Sequence, residues 1–545
     1  MKRCFAGLLF LFVSLHVMPA SGQTTPPSCV ITAPHSNAYF KEGTQVTIRV
    51  YASKEGGSYS GGYMTGIEFF VDDLLIGETS NATSNTYTFV WLASEEGTYR
   101  ITAKAIDNAG NESVSAGVIV TVGTHDVVPV GMSACKGKYV GNILKNVYNF
   151  IHDTNFNTYW NAVTAENSTK WGVLERNRNN MNWAGADRTY NHAKEHHLPY
   201  RYHVLAWGSQ YPSWIEELTP EEFQAEMEEL MALVSERYPL MDQVEVLNEP
   251  MVLNTWNGQE HAAGTPLFRE GLGGAGETGY DWAVWLFEKA REYFPNSKLV
   301  LNDFEMETNQ AGVNELLDMI RVLRDRNLID GFGTQAHTFN VDRTHENRIQ
   351  QALNQMATSG VPVYVTELDL KGTANPPTEA SQLASYQRVF PIYWNHPAVA
   401  GITLWGYVQG EIWQPDAYLL HADGTERAAL TWLRSYLADR PDVGFPCCPD
   451  DTGVNTPPDF RSGRQQVTLY PNPLSTGSLF VHLEEIPATD VNISVFSPLG
   501  QLVMNRSFHP AIQYEIDLHH SGSGLYLIRV VMNNQVITKR LLVAE

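Results

Sequence analysis

The sequence predicts a central (β/α)8 barrel with an all-β sandwich domain before it and another after it in the chain. Three observations carry that expectation. Between about residues 135 and 440, short apolar runs alternate with long amphipathic ones. Residues 28–123 and 466–545 instead show only short runs with apolar and polar residues alternating, split by turn residues. A chain of 545 residues is also too long for one ordinary hydrophobic core.

The elements follow in chain order. Residues 1–22 read as a signal peptide. Lys2 and Arg3 supply the positive end, Phe5 to Met18 a short apolar run, and Ala20-Ser21-Gly22 small residues for cleavage. That run is too short to span a membrane, and nothing later approaches a spanning length. In residues 28–123 the runs VTIRVYA, GIEFFVDD, TYTFVWLA, GTYRITAKAID and GVIVTV have the period of half-buried strands. Ile67–Val71 and Ala105–Asn111 make this stretch resemble bacterial immunoglobulin-like modules. Such modules are usually spacers. A glycan-stacking platform of Tyr59, Tyr63 and Trp91 is the alternative, and Trp91 as a core residue is the plainer reading.

In the middle region, PEEFQAEMEELMALVSERY, YDWAVWLFEKAREYF and VNELLDMIRVLRDRN repeat apolar residues three and four apart, as amphipathic helices do. Strands followed by helices imply a parallel sheet, and about 300 residues suits a closed barrel. Seven strand candidates end in residues with chemical capacity: WNAVTAEN, YRYHVLAW, VEVLNE, LVLNDF, FGTQAH, VYVTEL and GITLWG. The carboxyl ends of barrel strands are where barrel active sites lie. Two of these ends carry Glu249 and Glu367. Cleaving a glycosidic bond needs two carboxyl groups, one to protonate the leaving oxygen and one to attack the sugar or activate water. The acid needs a raised pKa, which requires a neighbouring negative charge or partial burial, and a second ionised Glu nearby is expected to supply it.

At this point a family resemblance becomes visible. GKYVGN (Gly137–Asn142), FNTYWNAVTAENSTKWG, Asp187-Arg188, HVLAWGSQYPSW, LNEP, LVLNDF, IDGFGTQAH, VTELDL and GITLWG occur in order, and the region resembles the endo-β-1,4-xylanases of glycoside hydrolase family 10. The resemblance implies Glu249 as acid/base and Glu367 as nucleophile in a retaining mechanism. It implies that His337 holds the nucleophile ionised and that Asn248 binds the 2-hydroxyl of the sugar being cleaved. It further implies that Glu166, Asn167, Lys170, His203 and Gln335 line the glycone subsites, with Trp207, Trp405 and Trp413 as cleft walls. The plainer alternative for Lys170 and Glu166 is a surface ion pair. No cofactor and no metal are expected from this chemistry.

This chain departs from the family in places. HVLAWG puts Gly208 where a His is usual, VEVLNE stands for WDVVNE, and QGEIWQPDAYLL lacks an Arg after its Trp. Leu253 to Tyr280 is Gly-rich and reads as a lengthened loop after strand four. The expected substrate is β-1,4-xylan, arabinose-decorated chains included where Gly208 widens the cleft. The rivals are a retaining β-1,4-glucanase or mannanase and a non-catalytic surface glycan-binding protein. AENSTKW and GTQAH argue against the first, and the intact Glu pair against the second.

Residues 441–465 are rich in Pro, Gly and Asp and read as a linker. In 466–545, the runs VTLYPNP, LFVHLEE, NISVFS, QYEIDL, GLYLIRVVM and TKRLLVA read as strands. YPNP (Tyr470–Pro473), SPLGQLV (Ser497–Val503), Ser523–Val530 and Lys539–Val543 resemble the sorting domain of type IX secretion cargo. That implies the type IX machinery as a partner and a secreted or cell-surface location. Beyond the signal, Cys29, Cys135, Cys447 and Cys448 remain, and Cys135 is expected to pair with one of the last two. A formal net charge of −23 argues against nucleic acid as a partner and suits a neutral polysaccharide.

Overall fold

In the computed structural model, the described residues are 25–54, 62–125, 129–251, 265–441 and most of 467–543. The expected signal peptide, all but the first residue of the expected linker, Tyr59, and Leu253 to Gly264 lie outside them. The chain divides into two compact units, 1–450 and 451–545.

The first unit begins with the N-terminal domain, which has two sheets. One orders Val30–Ala33, Thr44–Tyr51, Thr86–Ala93 and Ala82–Thr83. The other orders Ala38–Lys41, Val118–Gly123, Gly97–Asp107, Met64–Val71 and Leu74–Thr79, with Glu112–Val114 on the side. Alternation decides the faces. Val46, Ile48 and Val50 of one sheet and Ile67, Phe69 and Val71 of the other share one core. Trp91 is partly buried against that core, and its ring meets Tyr99 edge-on at 5.2 Å. It is no open platform, and Tyr63, 62% exposed, stands on a different strand end. Five of these strands were expected; the others are short pieces whose alternation is too brief to register.

The middle of the chain closes into an eight-stranded parallel barrel. Its strands are β1 (Tyr139–Leu144), β2 (Val163–Ala165), β3 (Tyr200–Trp207), β4 (Gln243–Asn248), β5 (Lys298–Asp303), β6 (Gly331–Thr334), β7 (Val363–Leu368) and β8 (Val399–Leu404). β1 pairs with β8 to complete the ring. Every residue of β4, β5 and β7 is buried, the polar Glu245, Asn248, Asn302 and Glu367 included. β1 was the strand missing from the seven expected. Its glycine and the buried Asn142 interrupt the run, and Asn142 Oδ1 accepts the Gly406 N–H at 2.9 Å.

The three expected helices form at Pro220–Arg237, Asp281–Tyr293 and Gln310–Arg324. Thr219 starts the first with a capping box to Glu222 and with Pro220 in its first turn. The stretch after β4 is not all loop: Thr265–Gly271 is helical, burying Phe268 against Phe223. Cys135 is disulfide-bonded, with its partner outside the described residues, and Cys29 is a buried free thiol. Among the described residues, no helix is long and apolar enough to cross a membrane.

The second unit has two antiparallel sheets. One orders Val467–Tyr470, Ser478–Leu483 and Gln513–Asp517; the other orders Leu502–Phe508, Val491–Phe496, Gly524–Met532 and Gln535–Val543. Leu479, Val481, Ile493, Val495, Ile528 and Val530 form its core. Leu502–Phe508 was not expected as a strand, since LVMNRSF is polar at its centre.

Candidate active site

The ends of β4 and β7 bring Glu249 and Glu367 to the same mouth. Glu249 follows the last residue of β4 with φ of 54°, in the left-handed region that a side-chain-bearing residue seldom occupies. Its N–H is held by the Asn302 carbonyl at 2.9 Å, which fixes this turn against β5. Trp207 Nε1 donates to Glu249 Oε2 at 2.9 Å. Gln335 Nε2 donates to Oε1 at 2.9 Å, and Asn248 Nδ2 to the same atom at 3.4 Å.

These donors favour the charged carboxylate, yet the pKa is pushed up to about 7. Burial is the main cause, the charge of Asp303 comes next, and Glu367 contributes least. Of the two expected causes, burial is the larger: Glu249 is raised chiefly because it is removed from water, and the charge of the second Glu adds to it only after that of Asp303.

Glu367 has the opposite surroundings. Asn302 Nδ2 donates to its Oε1 at 3.0 Å, and His337 Nε2 lies 3.4 Å from its Oε2. Burial works to raise its pKa. The hydrogen bond from His337 and the charges of His203, His337 and Arg201 overcome burial and hold it well below the usual carboxylate range. His337 Nδ1 is 2.8 Å from Asp369 Oδ2. Burial disfavours the imidazolium, but Asp369 and Glu367 outweigh it and lift His337 to about 10. One carboxyl of the pair is thus set to carry a proton and the other to carry charge.

Asn302 links the two. Its Nδ2 faces Asn248 Oδ1 at 3.1 Å, Glu245 Oε1 at 3.3 Å and Glu367 Oε1 at 3.0 Å, while Thr366 Oγ1 donates to its Oδ1 at 2.7 Å. Gln335 Nε2 also reaches Asn248 Oδ1, at 3.3 Å. His203, at the middle of β3, meets Glu245 Oε1 at 3.0 Å, and Arg201 Nη1 meets Glu245 Oε2 at 3.3 Å. His203, Glu245 and Glu367 each offer an atom within 4.8 Å of the others, a spacing that could hold a cation. Arg201, Asn302 and His337 already face these carboxylates, so an ion would have to displace them.

The other expected residues fall around this centre. Lys170 is buried, donates to Asn167 Oδ1 at 2.8 Å, and lies 4.8 Å over the Trp207 ring. Burial lowers its pKa against the pull of Glu367, Glu166 and Glu249. Glu166 is buried too and pairs with Lys145 at 2.8 Å, so a surface ion pair between Lys170 and Glu166 is not what forms. Trp405 is buried, with its ring 5.1 Å from His203 and under Arg201. Trp413 is 48% exposed; its Nε1 donates to Asp369 Oδ2 at 3.0 Å and its ring meets His337 at 4.9 Å.

Sequence reasoning passed over Asn302, Glu245, Asp369, Arg201, Lys145 and Phe339. The first three lie inside motifs already quoted, LVLNDF, VEVLNE and VTELDL; a polar residue at the strand end was the available signal for Asn302 and Asp369, and a Glu between two valines for Glu245. Arg201 sits inside an apolar strand, and Phe339 is a 53% exposed ring beside Trp413 that no spacing betrays.

Comparison with known proteins adds an independent line. Residues 131–436 match Glycosyl hydrolase family 10, 27–103 match a Bacterial Ig domain, and 468–544 match a Secretion system C-terminal sorting domain. An endo-1,4-beta-xylanase B of Cellvibrio japonicus is 35% identical over 298 residues, covering 54% of this chain and 45% of that protein. An endo-1,4-beta-xylanase of Agaricus bisporus is 29% identical over 292 residues, covering 52% of this chain and 80% of that one. The chain thus spans less than half the length of the Cellvibrio protein. The solved structure of GH10 from Paenibacillus barcinonensis superposes with a TM-score of 0.50 at 22% identity, over 58% of this chain and 99% of that one. At that identity the likeness bears on the fold alone.

Proposed function

We infer what this chain does from the fact that it belongs to glycosyl hydrolase family 10, whose pattern covers more than half of its length. The reading is a secreted endo-1,4-β-xylanase that cleaves xylan by double displacement. Residues 135–440 are its catalytic domain, 28–123 an immunoglobulin-like domain, 441–465 a linker and 466–545 the sorting domain that directs export to the medium or cell surface after removal of residues 1–22. The observation that carries the reading is the split within one pair: Glu249 raised to about 7 and Glu367 held low at the same barrel mouth.

In the first step Glu367 attacks the anomeric carbon while Glu249 gives its proton to the leaving oxygen. A covalent glycosyl-enzyme forms and the leaving sugar departs. In the second step Glu249, now a carboxylate, takes a proton from water, and that water displaces Glu367 from the sugar. Two inversions return the original configuration. His337, itself held by Asp369, keeps Glu367 charged for attack. Asn248, fixed by Asn302 and Gln335, is placed to bind the sugar's 2-hydroxyl.

The carboxylates on β4 and β7 also divide the mouth into two arcs. The polar residues Glu166, Asn167, Lys170 and His203 come from β2, β3 and the loop between them, on the longer arc. Phe304 and Phe339 follow β5 and β6 on the shorter one, with ring centres 6.4 Å apart; Gln335, expected among the glycone residues, also follows β6 and sits against Glu249 between the two arcs. The first arc takes the glycone and the second the leaving sugar.

The test is reducing-sugar release from xylan, carboxymethylcellulose and mannan, with the anomer of the first product read by NMR. Xylan should be cleaved strongly with β-product. Equal rates on all three polymers would remove the substrate assignment, and an α-product would remove the double displacement. Arabinosylated xylan compared with plain xylan tests the widening at Gly208.

A further inference from the structure

The N-terminal domain lies on the floor of the barrel, opposite the mouth. Its contacts reach the chain just ahead of six strands. Arg49 Nη1 donates to the Gly137 carbonyl before β1, at 3.0 Å. Asn37 Nδ2 donates to the carbonyls of Ala193 and Leu198 before β3, at 3.0 and 3.4 Å. The Ser36 N–H donates to Asp242 Oδ1 before β4, at 2.9 Å. Before β5, the Gly117 N–H donates to the Pro295 carbonyl at 3.1 Å and Arg100 Nε to Asn296 Oδ1 at 2.9 Å. Asn327 Nδ2 donates to the Val114 carbonyl before β6 at 2.9 Å, and Ser53 Oγ to the Gly360 carbonyl before β7 at 2.9 Å.

Cavities lined by His35, Tyr39 and Tyr139 and by Arg49, Tyr51 and Pro362 leave gaps between the two domains, but at Gly117 the contact is close. A Cβ on Gly117 would stand 2.4 Å from Asn296 Oδ1 and 2.6 Å from Arg100 Nε, so only glycine fits there without a shift. Ser36 and Asn37 are buried. So is the ion pair beneath them, Asp242 with Lys298 at 2.7 Å. Exposing that pair to water would weaken it, because screening removes most of its attraction. A tethered spacer would touch the barrel at one edge, not at six strand entries. A stacking platform would need a flat exposed aromatic face, and Trp91 does not offer one.

We propose that the immunoglobulin-like domain is the folding base of the catalytic barrel: its surface of Ser36, Asn37, Arg49, Ser53, Arg100 and Gly117 takes the barrel floor as its partner, and the two unfold as one unit. The proposal does not depend on the substrate. Coupling of this kind follows when hydrogen bonds join two domains at many points, some of them buried as at Ser36 and Asn37.

The test uses the full chain. Twelve of its thirteen tryptophans lie between residues 135 and 440, the other being Trp91, so tryptophan fluorescence reports barrel unfolding without reference to activity. Gly117→Leu wedges the interface, and the milder pair Arg49→Ala with Arg100→Ala cuts two contacts should the first fail to fold. Both should speed barrel unfolding in urea, by roughly tenfold for the pair, since each lost hydrogen bond to a charged donor is worth a severalfold change. Val90→Ala, exposed on the same domain, should leave the rate unchanged. Wild-type calorimetry should show the domain and barrel melting together. A separate melting of the N-terminal domain, an unmoved barrel rate in the paired variant, or an equal shift from Val90→Ala would each overturn the proposal.

Discussion

The two ends of strand β4 carry the same kind of group in opposite situations. Asp242 stands just before it on the floor, and Glu249 just after it at the mouth. Asp242 Oδ1 has a cation and an amide: Lys298 at 2.7 Å and the Ser36 N–H at 2.9 Å. Glu249 has only neutral donors, Trp207, Gln335 and Asn248, and no ion pair among the described residues. With Lys298 beside it, Asp242 keeps its counter-charge and ties the floor of the barrel together. Without one, burial drives the pKa of Glu249 into the range where it can give and take a proton at neutral pH. Within the mouth the same contrast recurs: Glu367 keeps the His337 imidazolium beside it and stays charged, while Glu249 is given neutral donors alone.

Substitutions at the two ends should therefore separate chemistry from stability. The largest effect is expected at Glu367→Ala, which should abolish turnover of an aryl xylobioside; azide should restore it with an inverted glycosyl azide. If inversion appears with Glu249→Ala instead, the two roles are exchanged. Glu249→Gln should lower kcat/KM on xylan by about 100- to 10,000-fold. The same substitution should remove the alkaline fall in the pH profile. In the wild type that fall should centre near 7, because Glu249 must hold a proton and loses it as pH rises through its raised pKa. The acid-side fall should lie below the ordinary carboxylate range, because Glu367 must be ionised and its pKa is lowered. A profile still flat at pH 9 would contradict the assignment of Glu249.

On the floor, Asp242→Asn leaves Lys298 buried without its counter-charge. Unfolding free energy from urea titration should drop by about 3 kcal/mol, with kcat/KM held within roughly twofold. A large loss of rate with no loss of stability would erase the contrast between the two ends. The smallest effect is expected from Phe339→Ala: KM for xylan rising severalfold, with stability changed by less than about 0.5 kcal/mol because the ring is half exposed. No change in KM would take Phe339 out of the leaving-sugar arc.

Much of this was legible in the chain. Period and length separated the barrel from the sandwiches, since helical and strand burial leave different spacings. Strand-end residues located the mouth, because a parallel barrel gathers those ends in one place. What stayed hidden has a common cause: it depends on packing between distant segments. Asn302 bridges Asn248 and Glu367 only once β4, β5 and β7 are neighbours of known register. The burial that raises Glu249 is a property of the closed mouth. The floor contacts of Ser36 and Asn37 come from a short loop with no pattern, and no periodicity marks a loop that docks on another domain.

The position of the N-terminal domain also governs access. Because it is fastened beneath the barrel, it takes up none of the rim through which substrate arrives. A polymer far longer than the cleft can lie across the mouth and extend past both edges without meeting that domain. On the proposed reading, cuts would then fall along a xylan chain as well as at its ends, and the domain would put no obstacle in the way of that polymer.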